Sequence, residues 1–567
     1  MDVVVEEAAV AVAAEVRPQL RFAAIKTASR QFEFGTSTKA EGFVFKSSRM
    51  NQVSVTMTVS SALSCQRIVF WIAAIWLGLS RFAAAQETTA FPTATPESQG
   101  ISTAAVRRVA DEVQEYVKDG TIIGGELLIV KNRKTILHEV YGDRDRDDKQ
   151  VMERDTIFNI RSMTKPLTGV AVQMLADEGK LKLDDPVAKY LPGFDNDKSK
   201  DITIEHLLQH RSGLPLTIIT TRIDEYPDLQ TQAKAIGEKG PQYKPGEKFW
   251  YSDAGSDAAA AVVEQISGTT IDRFIAERIL QPLGMTDSFY FSKDDDARKK
   301  RVASLYFGGP GKWTRIWKPE APLYPFAWGS QTLYSTPVDY ARFLTLWMDD
   351  GMAGGKRLLS NEAIARTLTP VSPMKELGSD QAYPRGFFGL KTHYGQMSML
   401  YAPGDSPIQS EVRGFGHGGS DGTGAWAFPK EDLIVCYFTQ SRGQVSTIRF
   451  ETILQDALLQ GEGAGEVPDE WKPLIGTYYA NFGRHKDTPF QVVFRCGKLA
   501  LDIPKRLVFE LTEPDNEGRR QLVLSGGTTV SFKKNDEGKV VALVLQEAGM
   551  SFELPRDKPV DTEEPKK

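Results

Sequence analysis

Apolar positions change their period along the chain, and the changes divide it. TAAVRRVADEVQEYV, opened by Ser102, repeats its apolar residues at helical spacing, so an amphipathic helix is expected with the serine as N-cap. GELLIVKN and KTILHEVYG follow as two short β-rich runs that read as a hairpin. A long apolar-periodic helix is expected over 162–178, stopped by Gly179. A mostly helical stretch then extends to about residue 368 and includes ITIEHLLQH, AGSDAAAAVVEQISG, TIDRFIAERIL and TPVDYARFLTLWMDDG. Strands return over 424–428 and 433–438 around a Pro429-Lys430-Glu431-Asp432 turn, and VSTIRFETILQDALLQ closes the region as a helix. Strands at both ends with helices between them predict one α/β (α+β) domain, its sheet completed by joining the beginning of the segment to its end.

Beyond that domain, GEGAGEVPDE (461–470) is a linker by composition. Residues 471–557 hold short alternating runs such as QVVFRC, KLALDI, RLVFEL and VVALVLQE, which predict a small antiparallel β domain, sheet or barrel. The charged tail, 558–567, is expected to be disordered. At the other end, the apolar run 68–79 (IVFWIAAIWLGL) follows Arg67 and precedes Ala83-Ala84-Ala85-Gln86. These are the three regions of a secretory signal with cleavage after Ala85, and the run falls short of the roughly 20 residues that span a bilayer. Residues 1–85 are therefore read as leader and signal peptide, with Met50 and Met57 as alternative starts. Export to the periplasm or the extracellular space is expected, with no integral membrane span after processing; an uncleaved membrane anchor is the alternative. Cys65 would leave with the signal. Cys436 and Cys496 lie in apolar strand-like segments of different domains and are expected as buried thiols rather than a disulfide.

Composition changes this picture little. With 567 residues the chain is long enough for more than one domain, and its apolar fraction of 41% is that of a globular protein. The 69 basic and 74 acidic residues leave a formal charge of -5, which gives no electrostatic reason to expect nucleic acid or an anionic membrane as partner. Function must be sought in a site.

Three elements carry candidate chemistry. In FNIRSMTKPLTG, Ser162 and Lys165 stand three apart, so their side chains share one face of a first helical turn. A serine hydroxyl needs a neighbouring base, an amine held close can serve, and a helix N-terminus favours a developing oxyanion. Tyr251-Ser252-Asp253 follows the Pro245-Gly246 turn and precedes a helix; a tyrosine facing a lysine can be the second proton carrier. Gly416-His417-Gly418-Gly419-Ser420 enters a strand, where glycines let backbone approach a substrate and the Ser420 N–H can complete an oxyanion hole with that of Ser162.

The order Ser-x-x-Lys, then Tyr-x-Asn-like, then Lys-Thr-Gly-like resembles the serine penicillin-recognising enzymes. Within them the chain looks most like class C β-lactamases, D-aminopeptidases and family VIII carboxylesterases. TIEHLLQHRSGLP (203–215), YKPGEKFWYSD (243–253), PLGMTDS (282–288) and GSQTLYSTPVDYARF (329–343) support the resemblance, which covers roughly 95–460. LIGTYYANFG gives the C-terminal domain a weaker likeness to a lipocalin-like accessory domain. The resemblance implies a β-lactamase/transpeptidase-like domain in which Ser162 forms an acyl-enzyme and Lys165 and Tyr251 shuttle protons. It implies substrate-side roles for Ser420, Asp253, His417, Gly418 and Gly419, no cofactor and no metal, and a small-molecule ester or peptide as substrate. Two positions depart from the family pattern. Asp253 replaces asparagine, so it offers no amide donor, and beside Lys165 it should keep that amine protonated, shifting the burden to Tyr251. His417 replaces a lysine and should grip a substrate carboxylate weakly. Both changes argue against efficient β-lactamase or DD-carboxypeptidase activity and are compatible with an esterase or a D-aminopeptidase; a carboxylic ester or small amide is the expected substrate. D-aminopeptidase, penicillin-binding or β-lactamase activity is the alternative, and a catalytically silent binding or sensor protein is an alternative of another class.

Other candidates weigh less. His206 and His210 have metal-ligand spacing on a helix, but Leu207 stands where a zinc motif carries glutamate, so both are expected to be structural. Trp313, Trp317, Tyr324 and Trp328 form an aromatic group that either walls a cleft or packs a core. Arg413 is a possible carboxylate anchor, with a solvated surface arginine as the expectation.

Overall fold

The protein is described by a computed structural model covering residues 91–556, apart from 221, 295, 375–386, 388–389, 404–410, 444–445, 460–465, 484, 496, 505–506, 524 and 526. The leader, the signal, Cys496, the charged tail and part of the 461–470 linker lie outside the described residues.

Helix α1 (Thr103–Lys118) starts as the sequence predicts, with Ser102 Oγ accepting from the Ala105 N–H at 3.1 Å. Its buried residues Val106, Val109, Ala110, Val113 and Tyr116 form one stripe. The hairpin follows as β1 (Gly124–Lys131), β2 (Lys134–Asp145) and a short β3 (Gln150–Val151). Strand β1 is buried on both faces, which explains why its apolar run barely alternates. Helix α2 (Lys165–Asp177) is buried from Lys165 to Leu175, and α3 (Asp253–Ser267) packs against it. Helix α4 (Pro337–Met348) lies against the sheet through contacts such as Tyr340 with Phe438.

The remaining strands of the main sheet come late in the chain: β4 (Ser372–Pro373), β5 (Lys391–Tyr394), β6 (Met399–Ala402), β7 (Gly414–Gly418), β8 (Gly424–Phe428) and β9 (Leu433–Thr439). Among the described residues they form one nine-stranded sheet in the order β4-β5-β6-β7-β8-β9-β1-β2-β3, with every neighbouring pair antiparallel. The closure of beginning onto end takes place at β1 and β9, where Leu128 faces Cys436. One face of the sheet packs α1 and α5 (Ser446–Leu454) through Leu127, Ile129, Trp426, Val435 and Tyr437. The other face carries α4 and the functional groups.

Two expectations are corrected. The helix expected from residue 162 begins as a 3-10 turn over Arg161–Thr164 and becomes α-helical only at Lys165, because Arg161 has a positive φ of 49° and the Lys165 N–H bonds to the Ser162 carbonyl. The stretch read as mostly helical also holds short strands, Phe289–Tyr290 and Leu333–Ser335, which pair with each other, and Leu333–Ser335 pairs as well with Phe158–Asn159 ahead of the stretch; segments of two or three residues are too short to show a period.

The C-terminal domain is an antiparallel meander in two four-stranded sheets. The first contains β10 (Gly476–Phe482), β11 (His485–Arg495), β12 (Lys498–Asp502) and β13 (Val508–Glu510); the second contains β14 (Arg520–Gln521), β15 (Thr529–Lys534), β16 (Val540–Glu547) and β17 (Met550–Pro555). Both contribute to one core, including Tyr478, Phe490, Leu501, Leu543 and Leu554, and Phe482 stacks on Phe552 at 4.2 Å between the first and last strands. The domain docks behind the sheet: Arg449 of α5 reaches Glu112 of α1 at 2.8 Å and Asp502 of β12 at 2.9 Å, and Arg495 meets Asp456 at 2.9 Å. These contacts lie on the α1/α5 face, away from Ser162.

Candidate active site

The 3-10 turn presents Ser162, half-buried, directly ahead of α2. Lys165 Nζ donates to Ser162 Oγ at 3.1 Å and to the Ser330 carbonyl at 3.1 Å, and it stands 2.5 Å from Asp253 Oδ1. The lysine side chain is 0% exposed and the aspartate 8%. Three oxygen acceptors around one amine match the three N–H bonds of an ammonium group. The Tyr251 ring covers the same amine at 4.8 Å. Ser162, Lys165, Tyr251 and Asp253 therefore meet in one place.

The elements that hold them follow from local sequence. Ser252 caps α3, its Oγ accepting from the Gly255 N–H at 2.8 Å, so Asp253 opens the helix and points at Lys165. One turn on, Asp257 is buried; Oδ1 accepts from the Ser330 N–H at 3.0 Å and Oδ2 from Gln232 Nε2 at 2.8 Å. Burial, and then the neighbouring Asp253, push its carboxyl up to about 7. Ser330 thus holds Asp257 through its N–H and Lys165 through its carbonyl. Asp257 was not singled out from sequence, although its place four residues after Asp253 on one helix face was a usable signal.

His417 shares a face of β7 with Phe415, which packs on Trp347 of α4, so the two-residue period turns it toward the site. Its ring is buried, and its nitrogens are occupied by protein: Nδ1 lies 2.7 Å from the Gly418 carbonyl and Nε2 3.2 Å from Tyr394 Oη. The same hydroxyl lies 3.1 Å from Nε2 of buried His210, whose Nδ1 accepts from the Ser252 N–H at 3.2 Å. With neutral rings this chain has one consistent proton order: Ser252 N–H to His210, His210 Nε2–H to Tyr394, Tyr394 O–H to His417, and His417 Nδ1–H to Gly418. Burial first, then Lys165, hold His417 down at about 3; burial, Lys165 and His417 hold His210 well below the ordinary histidine range. His417 is thus placed as a neutral strut, with neither nitrogen directed to a substrate carboxylate.

Gly418, Gly419 and Ser420 lead from β7 into a turn closed by bonds from Gly419 N–H to Thr423 O and from Gly422 N–H to Gly419 O. Gly419 lies so close to the turn before Ser162 that a Cβ there would stand 2.4 Å from the Ile160 carbonyl, and Gly422 has a φ of 95°. Exposed Ser420 is therefore brought beside the Ser162 turn. Arg161 and Asp421, neighbours of Ser162 and Ser420, meet at 2.6 Å in the interior.

The other candidates go to structural work. His206 Nδ1 accepts from the Thr203 N–H at 3.3 Å and caps the Ile204–Leu208 helix. Among the described residues no group of three or more His, Cys, Asp and Glu is placed to hold a metal ion. Arg413 pairs with Glu431 at 3.2 Å. The aromatic group divides: Trp313 packs with Ile123 and Tyr306, and Trp317 with Phe291 and Tyr334, whereas Tyr324 stacks edge-on with Trp328 and bonds to Arg161.

Comparison with known proteins bears on family and fold. The β-lactamase family model matches residues 109–458. An uncharacterised protein of Mycobacterium tuberculosis is 30% identical over 363 residues, 58% of this chain and 88% of its own. Protein flp of Staphylococcus aureus is 33% identical over 220 residues, 37% of this chain and 43% of its own. Among solved structures, EstCE1, a hydrolase with promiscuous acyltransferase activity, aligns with a TM-score of 0.53 at 21% identity over 63% of this chain and 99% of its own. The octameric penicillin-binding protein homologue from Pyrococcus abyssi gives 0.52 at 21% identity over 79% and 99%. At such identities the two structures speak to fold alone.

Proposed function

The chain belongs to the β-lactamase family, and we propose that it is a serine hydrolase acting on a carboxylic ester or small amide through an acyl-enzyme on Ser162. The observation that carries this reading is the contact of Ser162 Oγ with buried Lys165, itself held by Asp253 and Ser330. Ser162 Oγ bonds to the substrate carbonyl carbon as its proton passes to the oxygen of Tyr251, which takes it as the phenolate, its own proton having gone to solvent before the attack. The carbon–heteroatom bond then breaks, and the same proton goes to the leaving alcohol or amine. Water attacks the acyl-enzyme in the reverse sense and releases the acid. Lys165, with its three oxygen neighbours, orients Ser162 and keeps positive charge beside Tyr251 rather than accepting the serine proton. The N–H groups of Ser162 and Ser420 receive the oxyanion.

Neutral, buried His417 supports the ester reading over β-lactams and D-Ala-D-Ala peptides, since a carboxylate would find an uncharged imidazole with both nitrogens engaged. The apolar run at 68–79 and the alanines after it support export, which N-terminal sequencing of secreted protein beginning at Gln86 tests. No described helix is long and apolar enough to cross a membrane.

Intact-mass spectrometry of the full chain after a fluorophosphonate probe, beside Ser162→Ala, tests the nucleophile, with p-nitrophenyl acetate and butyrate turnover in parallel. One adduct lost in the variant together with ester turnover is the expected result. Labelling without ester turnover would move the substrate to D-amino-acid amides and cell-wall peptides. An unlabelled wild type would make the protein a binding module.

A further inference from the structure

Two buried charges sit beside the two backbone groups that an oxyanion needs. Arg161 precedes Ser162 and Asp421 follows Ser420, and the Arg161 Nε donates to Asp421 Oδ2 at 2.6 Å with side chains 2% and 1% exposed. Arg161 has a left-handed backbone, φ 49°, which is costly for a residue with a Cβ. That conformation is held from several sides. The Arg161 N–H donates to Asn159 Oδ1 at 3.0 Å, and the guanidinium also bonds to Tyr324 Oη. Asp421 is held in turn by Arg442, 3.4 Å from its Oδ1, on a strand that pairs with Leu305–Phe307. The carboxylate thus stands between two buried guanidinium groups, one on the nucleophile turn and one on a separate strand.

A buried ion pair is a poor way to gain stability, because desolvating both charges offsets most of their attraction. It is a good way to fix a distance, because a displaced partner leaves a charge unpaired in a dry site. Ser420 itself is exposed, and its turn also meets the Ile160 carbonyl through the close approach of Gly419 and a long bond from Thr423 Oγ1 at 3.4 Å.

We propose that Arg161 and Asp421 are positioning residues: their buried ion pair clamps the Ser162 turn to the Ser420 turn and so sets the spacing of the two N–H groups that bind the oxyanion. The inference rests on the serine-hydrolase reading above. It predicts that loosening the clamp harms the transition state and leaves ground-state binding nearly intact, because the oxyanion forms only as the carbonyl is attacked.

The test uses Asp421→Asn and Arg161→Lys in the full chain, with active sites titrated by a fluorophosphonate and p-nitrophenyl acetate turnover measured per titrated site. Asp421→Asn keeps the shape and removes the charge; Arg161→Lys keeps the charge and loses the fork. The expected result is a fall of about 100-fold in kcat per titrated site for Asp421→Asn, comparable to losing one oxyanion donor, with KM changed less than about threefold and a cooperative thermal melt retained. Arg161→Lys should fall in between. A purely structural role would lower the number of titratable sites at unchanged kcat per site, and that result overturns the proposal. So does a change confined to KM, or failure of both variants to fold, which would assign the pair to stability. A wild type that takes up no probe overturns the serine-hydrolase reading itself, a different failure.

Discussion

The two domains of this chain bury opposite things. Around Ser162 the interior holds Arg161, Lys165, His210, Asp253, Asp257, His417, Asp421 and Arg442. The C-terminal meander surrounds its core with aliphatic and aromatic side chains, and among its described residues only Arg520, Ser525 and Thr528 are buried polar groups. Buried charge costs free energy unless it is paired, whereas apolar burial contributes roughly 25 cal/mol per Å². The region around Ser162 is therefore organised around placing charges, and the core of the meander around apolar burial.

The comparison can be broken most directly at Lys165. Lys165→Met should lower turnover per active site by about 10²- to 10⁴-fold. It should also destabilise the first domain by about 3–5 kcal/mol in urea, because Asp253 is left beside Asp257 without its cation. Adding Asp253→Asn should recover much of the stability and none of the rate. Recovery of both would mean that the charges are only structural.

In the other domain, Leu543→Ala should cost about 2–5 kcal/mol by opening a cavity, while turnover at 25 °C stays within twofold of wild type. A matching loss of kcat would show that the two domains share more than the Arg449 and Arg495 bridges. A smaller effect is a difference in pH response. The folded value of Asp257, about 7, lies above its ordinary 3.8, so the folded protein holds that proton more tightly than the unfolded chain. Its contribution is complete below about pH 4 and is lost as pH rises toward 7. His417 works the other way, since its folded value of about 3 lies below 6.5 and its contribution is lost as pH falls through that range. The melting temperature of wild type minus that of Asp257→Asn should therefore decline from pH 4 to pH 7; a flat difference contradicts the assignment. Smallest of all, Lys472→Ala breaks an exposed pair with Asp469 and should change stability by less than about 0.5 kcal/mol in a urea titration.

The parts of the site that were legible in sequence are those whose partners lie close along the chain or whose spacing has a chemical reason. Ser162 and Lys165 share a turn, Tyr251 and Asp253 flank a cap, and His417 sits among glycines. The clamp was not legible, because Arg161 and Asp421 are 260 residues apart and pair only once the sheet has formed. A charged residue between Ile160 and Met163, directly ahead of an apolar helix, was the available sign of a need for a partner. Tyr394 had no such sign: its hydroxyl joins two histidines that come from different elements. The fold was easier to read where elements are long, as in α1, β1 and α2, than where strands of two or three residues meet through tertiary contacts.

The pairing of β1 with β9 also sets the order in which the site can appear. Thr439, at the end of β9, donates to the Gly124 carbonyl 315 residues earlier. Contacts of such separation form slowly, because a long loop must close before any of them is gained. During synthesis Lys165 can meet Ser162 at once, whereas Asp421 and the turn carrying Ser420 leave the ribosome much later. A nascent chain stopped before β9 already carries Ser162 and Ser420 but lacks the strand that joins the two ends of the sheet, so the turns that bear them are fixed together only when β9 pairs with β1, with the C-terminal meander still to be made.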